Sequence, residues 1–245
     1  MSNKSSRTRL FINEAFIKGS EFLVDGNQGH YLVNVLRVRE GELVTLFNGD
    51  QGEWHAEITK VKKGKAFLVI LDKVADQTSD PDLWYIFAPV KKARVDYMIQ
   101  KATELGVGYI RPVMTQHTNL DRIKDEKIIA NMIEAAEQCG RMTVPQLDVM
   151  TSLDDLLENW PDDRGLIFCD EAGDAKPFIQ IEKKFDKWAI LIGPEGGFSA
   201  EERALIREHQ NSIPVTLGPR ILRADTAAVA AISLWQSYIG DWQHE

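Results

Sequence analysis

The sequence predicts an α/β domain with a mainly parallel sheet, preceded by a small β-barrel domain. Short apolar strands separated by glycine-containing turns occupy the chain up to residue 76, and strands alternating with amphipathic helices follow. Between them, residues 75–82 are polar, contain a proline and lack apolar periodicity, which is typical of a linker. We therefore expect one domain over residues 1–76 and a second over residues 77–245.

The barrel prediction depends on five short apolar segments in the first part of the chain. In order they are RLFIN from Arg9, EFLV from Glu21, VTLFNGD from Val44, EWHAEITKV from Glu53 and AFLVILDKV from Ala66. Residues 30–38 interrupt them with apolar side chains at roughly helical spacing, which predicts a helical segment there.

The second part alternates strand and helix patterns. The predicted strands are LWYIFAPV (83–90), YIRPVMT (109–115), GLIFCDE (165–171), WAILIGPEGG (188–197) and IPVTLGP (213–219). The predicted helices are ARVDYMIQKATELG (93–106), DEKIIANMIEAAEQCG (125–140), SAEERALIREHQ (199–210) and TAAVAAISLWQSYIG (226–240). Such alternation is typical of a largely parallel sheet.

The charge is distributed unevenly, although the composition is that of an ordinary globular protein. The formal net charge of -8 disfavours a protein that coats nucleic acid by bulk electrostatics. However, residues 1–78 carry 11 Lys and Arg against 10 Asp and Glu. Basic residues cluster there at Arg7 and Arg9, at Arg37 and Arg39, and over residues 60–65. Two interpretations stay open. The clusters form a local phosphate-binding patch, or the last cluster is only the solvent-exposed part of a turn at Gly64.

Several classes of protein are disfavoured by what the sequence lacks. It has no apolar stretch of the roughly 20 residues needed to cross a membrane and no signal-peptide pattern, so we expect a cytoplasmic protein with no membrane partner. Cys139 and Cys169 are the only cysteines and show no zinc-ligand spacing. We expect both thiols to be reduced and structural, and no metal site.

Two Gly-Pro loops follow predicted strands and are the candidate binding elements. In the first, glycines 193, 196 and 197 allow backbone groups to approach a ligand, and Ser199 with Glu202 forms a capping box for the next helix. The second, LGPRILRADT (217–226), carries two arginines three residues apart. An arginine pair there binds an anion, or it only forms ion pairs with Glu195 or Asp225. A tight turn without ligand is the alternative for the first loop, and neither loop is a P-loop or a dinucleotide fingerprint.

These two segments, LIGPEGGFSAEE and LGPRILRADTAA, resemble the signature segments of the RsmE family. Similarity extends through HYLVNVLRVREGE, KATELGV, IRPVMTQHT and EQCGR, and so covers nearly the whole chain. Members of this family are SPOUT-class enzymes that use S-adenosylmethionine (SAM) to methylate N3 of one uridine in 16S ribosomal RNA. The resemblance implies a PUA-like barrel that binds RNA, a SPOUT domain with a deep trefoil knot, a homodimer, and a substrate within the small ribosomal subunit.

The resemblance also implies which residues form the sites. SAM is expected at the two loops, on Leu191, Ile192, Gly193, Glu195, Gly196, Leu217, Gly218, Ile221, Leu222 and Thr226. Uracil N3 must lose its proton during methylation, and an arginine fork suits the resulting anion because it stays charged and donates two hydrogen bonds. We expect Arg220 or Arg223 in that role, and Glu195 as a weaker candidate that orients an arginine or handles the proton.

Two further expectations concern the RNA and a possible base. Arg7, Arg9 and Arg37 are the expected RNA-binding residues of the first domain. His117 is a conceivable general base, but a lone histidine is more often structural.

Three alternative functions stay open from the sequence. The chain is a SPOUT methyltransferase acting on a different rRNA or tRNA nucleotide, a non-catalytic RNA-binding protein, or a metabolic nucleotide-binding enzyme. The intact Gly-Pro loops disfavour the second alternative, and the absence of a phosphate cradle in the sequence disfavours the third.

Overall fold

A computed structural model describes residues 8–90, 92–118, 123–171 and 174–243. The chain divides into two compact units. The first comprises the residues up to Ser79 together with Ala136–Val144, and the second comprises Asp80–Ala135 and Pro145–Glu245. No pattern in the sequence indicates that Ala136–Val144 groups with the first unit.

The described part of the first unit contains a five-stranded sheet. Its strands are β1 (Arg9–Phe11), β2 (Glu21–Val24), β3 (Leu43–Phe47), β4 (Glu53–Lys62) and β5 (Lys65–Ala75). Their order is β1-β3-β4-β5-β2, with β1 and β3 parallel and the other neighbours antiparallel. Alternate residues of these strands, among them Leu46, Ile58 and Leu68, are fully buried in one apolar core. The five predicted strands are confirmed.

A short helical segment crosses this unit, as predicted, but with different bounds. Helix α1 (Gly26–His30) continues into a wider turn at Tyr31–Val35, in which the Leu36 N–H donates to the Tyr31 carbonyl at 2.9 Å. The segment therefore starts four residues before the predicted one and ends earlier. It cannot continue through Arg37, whose φ of 54° is left-handed.

The described residues of the second unit form an eight-stranded sheet in which every pairing is parallel. Its strands are β6 (Leu83–Phe87), β7 (Tyr109–Met114), β8 (Gln146–Leu147), β9 (Thr151–Ser152), β10 (Arg164–Cys169), β11 (Lys176–Pro177), β12 (Lys187–Ile192) and β13 (Ser212–Thr216). The order is β11-β13-β10-β12-β6-β7-β8, and β9 pairs with β7. The central strands β10 and β12 are continuous apolar runs because both faces of a parallel sheet are covered.

Five longer helices and two short turns complete the described chain. They are α2 (Lys92–Glu104), α3 (Asp125–Cys139), α4 (Leu153–Glu158), α5 (Ala200–Glu208), α6 (Ala224–Tyr238) and the 3₁₀ turns Phe178–Gln180 and Asp241–Gln243. The capping box that begins α5 is confirmed: the Glu202 N–H donates to Ser199 Oγ at 3.1 Å, and the Ser199 N–H donates to Glu202 Oε2 at 2.9 Å.

The α/β class with a mainly parallel sheet and a small preceding β unit is therefore confirmed. Helix α4 and the two-residue strands β8, β9 and β11 are absent from the sequence-based prediction. The trefoil knot stays a prediction. None of the described helices is both long and apolar enough to cross a membrane.

Candidate cofactor and active site

The two Gly-Pro loops lie at one edge of the parallel sheet. Strand β12 ends at Ile192 and β13 ends at Thr216, with β10 between them in the sheet order. Because the three strands are parallel, their carboxyl ends share the edge at which ligands bind in open α/β sheets. The segments that follow them line a cavity of about 500 Å³, which is a size typical of small-molecule sites.

The lining of this cavity combines apolar walls with charged groups. Aromatic and aliphatic side chains include Phe168, Phe198 and Leu222. At Gly193 a Cβ atom would lie only 2.6 Å from the Phe198 ring, so a larger residue there would force the ring or the first loop to shift. Gly218 has a φ of 117°, a backbone conformation that other residues rarely adopt.

Most of the residues expected to hold SAM border this cavity. Those on the lining are Ile192, Gly193, Glu195, Leu217, Gly218, Ile221 and Leu222. Leu191 is fully buried inside β12, and Gly196 lies against His117, where an added Cβ would approach the histidine Cβ at 3.2 Å. Thr226 is exposed in the first turn of α6, and its N–H donates to the Asp225 carboxylate at 2.8 Å. These three residues are not part of the cavity wall.

The predicted catalytic residues all line the cavity. Arg220 and Arg223 are exposed, and neither forms an ion pair with any residue that the structure describes. Glu195 instead pairs with Arg94, in the first turn of α2. The alternative in which Arg220 or Arg223 only pairs with Glu195 or Asp225 is therefore not supported. Two uncompensated guanidinium groups remain at the cavity.

Arg94 is a site residue that the sequence reasoning missed. It lies about one hundred residues before Glu195, at the start of an amphipathic helix, and no motif surrounds it. Its guanidinium holds the Glu195 carboxylate at the cavity wall. Because the carboxylate is already used in this ion pair, the contact favours an orienting role for Glu195.

A second acidic group, Asp170, anchors helix α5 to the end of β10. Its side chain is only 1% exposed and accepts hydrogen bonds from Arg203 Nε at 2.9 Å and Arg207 Nε at 2.6 Å. Arg207 also donates to Asp174 at 3.0 Å and holds the pKa of that carboxyl below its usual value. The buried carboxylate is therefore matched by two cations. Asp170 and Arg203 both line the cavity.

His117 makes a structural contact. Its Nδ1 lies 3.0 Å from the Gly197 carbonyl oxygen, a distance at which the ring N–H donates. It does not line the cavity. The contact joins the segment after β7 to the first Gly-Pro loop, which favours the structural interpretation of this histidine over the role of base.

Cys169 lines the cavity at the end of β10. Burial raises the pKa of its thiol to about 12, with a smaller contribution from the Asp170 charge. The thiol therefore stays protonated at neutral pH, where a protonated thiol is a poor nucleophile. Both cysteines are free, and Cys139 is exposed.

We expect this difference to appear in thiol titration of the native protein. With a disulfide reagent at pH 8, Cys139 should react quickly, whereas Cys169, although partly exposed, should react far more slowly, because almost none of it is thiolate. A Cys139→Ser variant provides the control, since it should show no fast reaction. Two fast thiols in the wild-type protein would contradict the protonated state of Cys169.

The three arginines expected to bind RNA differ in the structure. Arg7 lies outside the described residues. Arg9 is largely buried: it pairs with Glu53, donates to the carbonyl oxygens of Ala136 at 2.7 Å and Arg141 at 2.9 Å, and stacks 4.5 Å from the Phe47 ring centroid. All of these partners belong to the first unit. Arg9 thus serves the packing of that unit, whereas Arg37 is exposed.

Within the described residues, no group of three or more His, Cys, Asp or Glu side chains could hold a metal ion.

Comparison with known proteins agrees with this fold and cavity. The model of the RNA methyltransferase domain family matches residues 78–236, and that of the RNA methyltransferase PUA domain matches residues 24–71. A Bacillus subtilis protein named ribosomal RNA small subunit methyltransferase E is 30% identical over 226 residues, which cover 86% of this chain and 88% of the relative. The chain belongs to the ribosomal RNA small subunit methyltransferase E family, within the broader class of RNA methyltransferases.

Two solved structures are similar over almost their whole length. The Neisseria gonorrhoeae ribosomal RNA small subunit methyltransferase E, solved with bound SAM, is 31% identical with a TM-score of 0.87, covering 96% of this chain and 99% of that one. A Legionella pneumophila protein, solved in complex with the bound cofactor SAM, is 33% identical with a TM-score of 0.86 and covers 96% and 98%.

Proposed function

We propose that this protein uses SAM to methylate N3 of one uridine in 16S ribosomal RNA. The observation that carries the proposal is the cavity between the two Gly-Pro loops, which presents Arg220 and Arg223 without acidic partners among the described residues. Methyl transfer to an anionic ring nitrogen needs cationic hydrogen-bond donors that stabilise the negative charge, and free guanidinium groups at a cofactor-sized cavity can supply them. Family membership supports SAM as the cofactor and ribosomal RNA as the substrate.

The cavity fits SAM on three counts. Its volume of about 500 Å³ accommodates a nucleoside joined to an amino acid. Apolar walls at Phe168 and Leu222, with loop backbone exposed at Gly193 and Gly218, suit an adenine ring that needs few hydrogen bonds. Glu171, which forms no ion pair with the described residues, supplies negative charge that suits a sulfonium cation. When bound there, SAM supplies an electrophilic methyl group.

The uracil base has to leave the base stack before it can enter the cavity. N3 lies on the Watson–Crick edge of uracil, so a paired uridine hides it, and the base must be unpaired or flipped. As N3 loses its proton, negative charge spreads onto the two carbonyl oxygens that flank N3. Arg220 or Arg223 can donate hydrogen bonds to one of these oxygens and stabilise the charge, which leaves the in-plane approach of the methyl group to N3 open. The ion pairs between Asp170 and α5 tie the helix that follows the first Gly-Pro loop to the end of β10, which favours alignment of nitrogen and methyl.

Glu195 acts by orientation in this proposal. Its carboxylate is engaged by Arg94, which fixes the first loop against α2. Glu171 also lines the cavity, and it forms no ion pair with the residues that the structure describes. Glu171 is therefore the carboxylate better suited to take the N3 proton, and sequence reasoning did not select it.

The proposal includes four features that the family resemblance suggests. They are a domain division near residue 76, a trefoil knot that threads the SAM-binding loops, a homodimer, and action within the small ribosomal subunit in the cytoplasm.

Mapping of ribosomal RNA modifications tests the proposal. RNA from a strain lacking this gene should lose a single 3-methyluridine from its 16S RNA, and expression of the wild-type protein should restore it. An unchanged 16S RNA together with a lost modification in tRNA, in 23S RNA or on a ribose would instead assign the chain to another SPOUT target.

A further inference from the structure

A tight turn after strand β7 contacts the first Gly-Pro loop, although β7 is not a neighbour of the strand that precedes the loop. Residues 115–118 form this turn, which we call the 115–118 turn. The Thr118 N–H donates to the Thr115 carbonyl at 3.0 Å, and the Thr115 N–H donates to Thr118 Oγ1 at 2.9 Å. Strand β6 lies between β7 and β12, so the turn bridges roughly 10 Å, at about 4.8 Å per pair of neighbouring strands. Gln116 and His117 occupy its tip.

The first contact between the turn and the loop is the hydrogen bond of the His117 ring. Its Nδ1 lies 3.0 Å from the Gly197 carbonyl oxygen, and because a carbonyl oxygen only accepts, the ring donates from Nδ1. The neighbouring loop residue is also close, since a Cβ added to Gly196 would lie 3.2 Å from the His117 Cβ. The histidine therefore lies directly against the backbone of two consecutive loop residues.

The second contact is made by Glu202, in the first turn of α5. Its Oε2 accepts the Ser199 N–H at 2.9 Å, which is part of the capping box. Its Oε1 accepts the Gln116 N–H at 2.6 Å. The capping box does not use this second oxygen. The bond to Gln116 instead ties the 115–118 turn to the residues that immediately follow the first Gly-Pro loop.

The first Gly-Pro loop needs contacts from outside because its own sequence is flexible. Three of the residues 193–197 are glycines, which lose more conformational freedom on ordering than any other residue. Within the loop, the Gly197 N–H donates to the Pro194 carbonyl at 2.9 Å. From outside, Arg94 holds the loop at Glu195, and the 115–118 turn holds it at Gly197. The turn therefore fixes the part of the loop that leads into α5.

We propose that His117 and Glu202 are positioning residues that hold the first Gly-Pro loop in the conformation that binds SAM. Neither side chain lines the cavity, so both act through the loop backbone. Without these hydrogen bonds the loop populates other conformations, and the apparent SAM affinity falls in proportion to the fraction of molecules that keep the binding conformation. Saturating SAM restores that conformation, so the loss appears in the KM for SAM and not in kcat. The inference rests on the proposed function for its cofactor alone.

Two substitutions of His117 separate its hydrogen bond from its bulk. Asparagine places an amide N–H close to the position of the histidine Nδ1, whereas leucine has a similar size and no donor. We expect His117→Leu to bind SAM about 2- to 12-fold more weakly by calorimetry, which is the range for one hydrogen bond, and His117→Asn to retain wild-type affinity. A His117→Leu variant with wild-type SAM affinity would overturn the role of this histidine.

Glu202→Gln tests the second contact, because glutamine also serves in capping boxes but has one acceptor oxygen instead of two. Its SAM affinity should fall roughly 10- to 100-fold, since the lost bond is to a charged acceptor, and its kcat at saturating SAM should equal that of the wild type. Ser199→Ala is the matched control: it removes the cap on the Glu202 N–H and leaves the bond to Gln116. It should unfold at a lower temperature and bind SAM normally.

Hydrogen exchange provides a readout that needs neither RNA nor SAM. In the protein without SAM, the amides of residues 193–197 should exchange faster in His117→Leu and Glu202→Gln than in the wild type, and at the wild-type rate in Ser199→Ala. Unchanged exchange in the first two variants would contradict the proposal. A lower unfolding temperature with wild-type SAM affinity in both would show that the 115–118 turn only stabilises the fold.

Failure of this inference is distinguishable from failure of the proposed function. SAM binding and hydrogen exchange do not involve the RNA, so methylation of a different nucleotide would leave the positioning role of His117 and Glu202 intact. Conversely, wild-type rates of 3-methyluridine formation by His117→Leu and Glu202→Gln at a SAM concentration below the wild-type KM would refute the positioning role and leave the proposed function intact.

Discussion

Arg223→Lys and Arg220→Lys are expected to separate binding from chemistry. Whichever arginine faces the uracil should, as lysine, bind SAM with unchanged affinity and methylate roughly 100- to 1,000-fold more slowly, corresponding to about 2.7–4 kcal/mol of barrier for one lost donor. Lysine keeps the charge but cannot reproduce the planar two-donor fork. Single-turnover methylation at saturating SAM measures this directly.

If the same arginine had only a structural role, its replacement by lysine would lower the unfolding temperature and leave most of the methylation rate. We expect the opposite: neither arginine has an ion pair among the described residues, so its replacement should leave the unfolding temperature unchanged. A Lys183→Ala variant changes an exposed cation that does not line the cavity and serves as the control. Near-wild-type rates for both lysine variants would remove the anion-stabilising role and direct attention to Glu171 and Arg94.

Gly193→Val is expected to weaken SAM binding without unfolding the protein. A side chain at this position would enter the Phe198 ring, whose nearest atom lies 2.6 Å from the added Cβ, and both residues line the cavity. Such overpacking costs about 1–3 kcal/mol. If the first Gly-Pro loop shifts to avoid the clash, SAM can bind only when the loop returns to its original position. Calorimetry should then measure a roughly 5- to 150-fold loss of SAM affinity.

Thermal unfolding provides the control for this variant. SAM should raise the unfolding temperature of the wild-type protein, because it binds the folded state, and should raise that of Gly193→Val much less at the same concentration. A folded Gly193→Val protein with wild-type SAM affinity would show that the first Gly-Pro loop is not part of the cofactor site.

The predictability of the fold followed the length and regularity of each element. Strand β10 and helix α6 carry long patterns, and both of their ends were predicted to within about two residues. The start of β12 was predicted to within one residue, but the predicted segment ran past its end at Ile192 into the first Gly-Pro loop. The two-residue strands β8, β9 and β11 are too short to show any period. The predicted end of the helical segment in the first unit was wrong, because the segment stops before the left-handed backbone at Arg37. Helix propensity does not reveal that conformation.

Site residues were predictable where neighbouring residues in the sequence define them, and not where they depend on contacts with distant parts of the chain. Glycines and prolines after strands indicated both loops, and seven of the ten expected SAM residues border the cavity. Arg94 contacts Glu195 from helix α2, which is far away in the sequence, and Asp170 pairs with arginines more than thirty residues away. Arg9 and Lys63 look alike as basic residues in the sequence, yet tertiary contacts engage the first and leave the second exposed.

Incubation of the purified protein with isotopically labelled SAM and unmethylated small ribosomal subunits is the most direct test of the account. After digestion, mass spectrometry of the nucleosides should find the label in 3-methyluridine alone, and fragment mapping should place it at one 16S position. Label in a ribose methyl group, in another base, or in no nucleoside while SAM still binds would contradict uridine N3-methylation as the function of this protein.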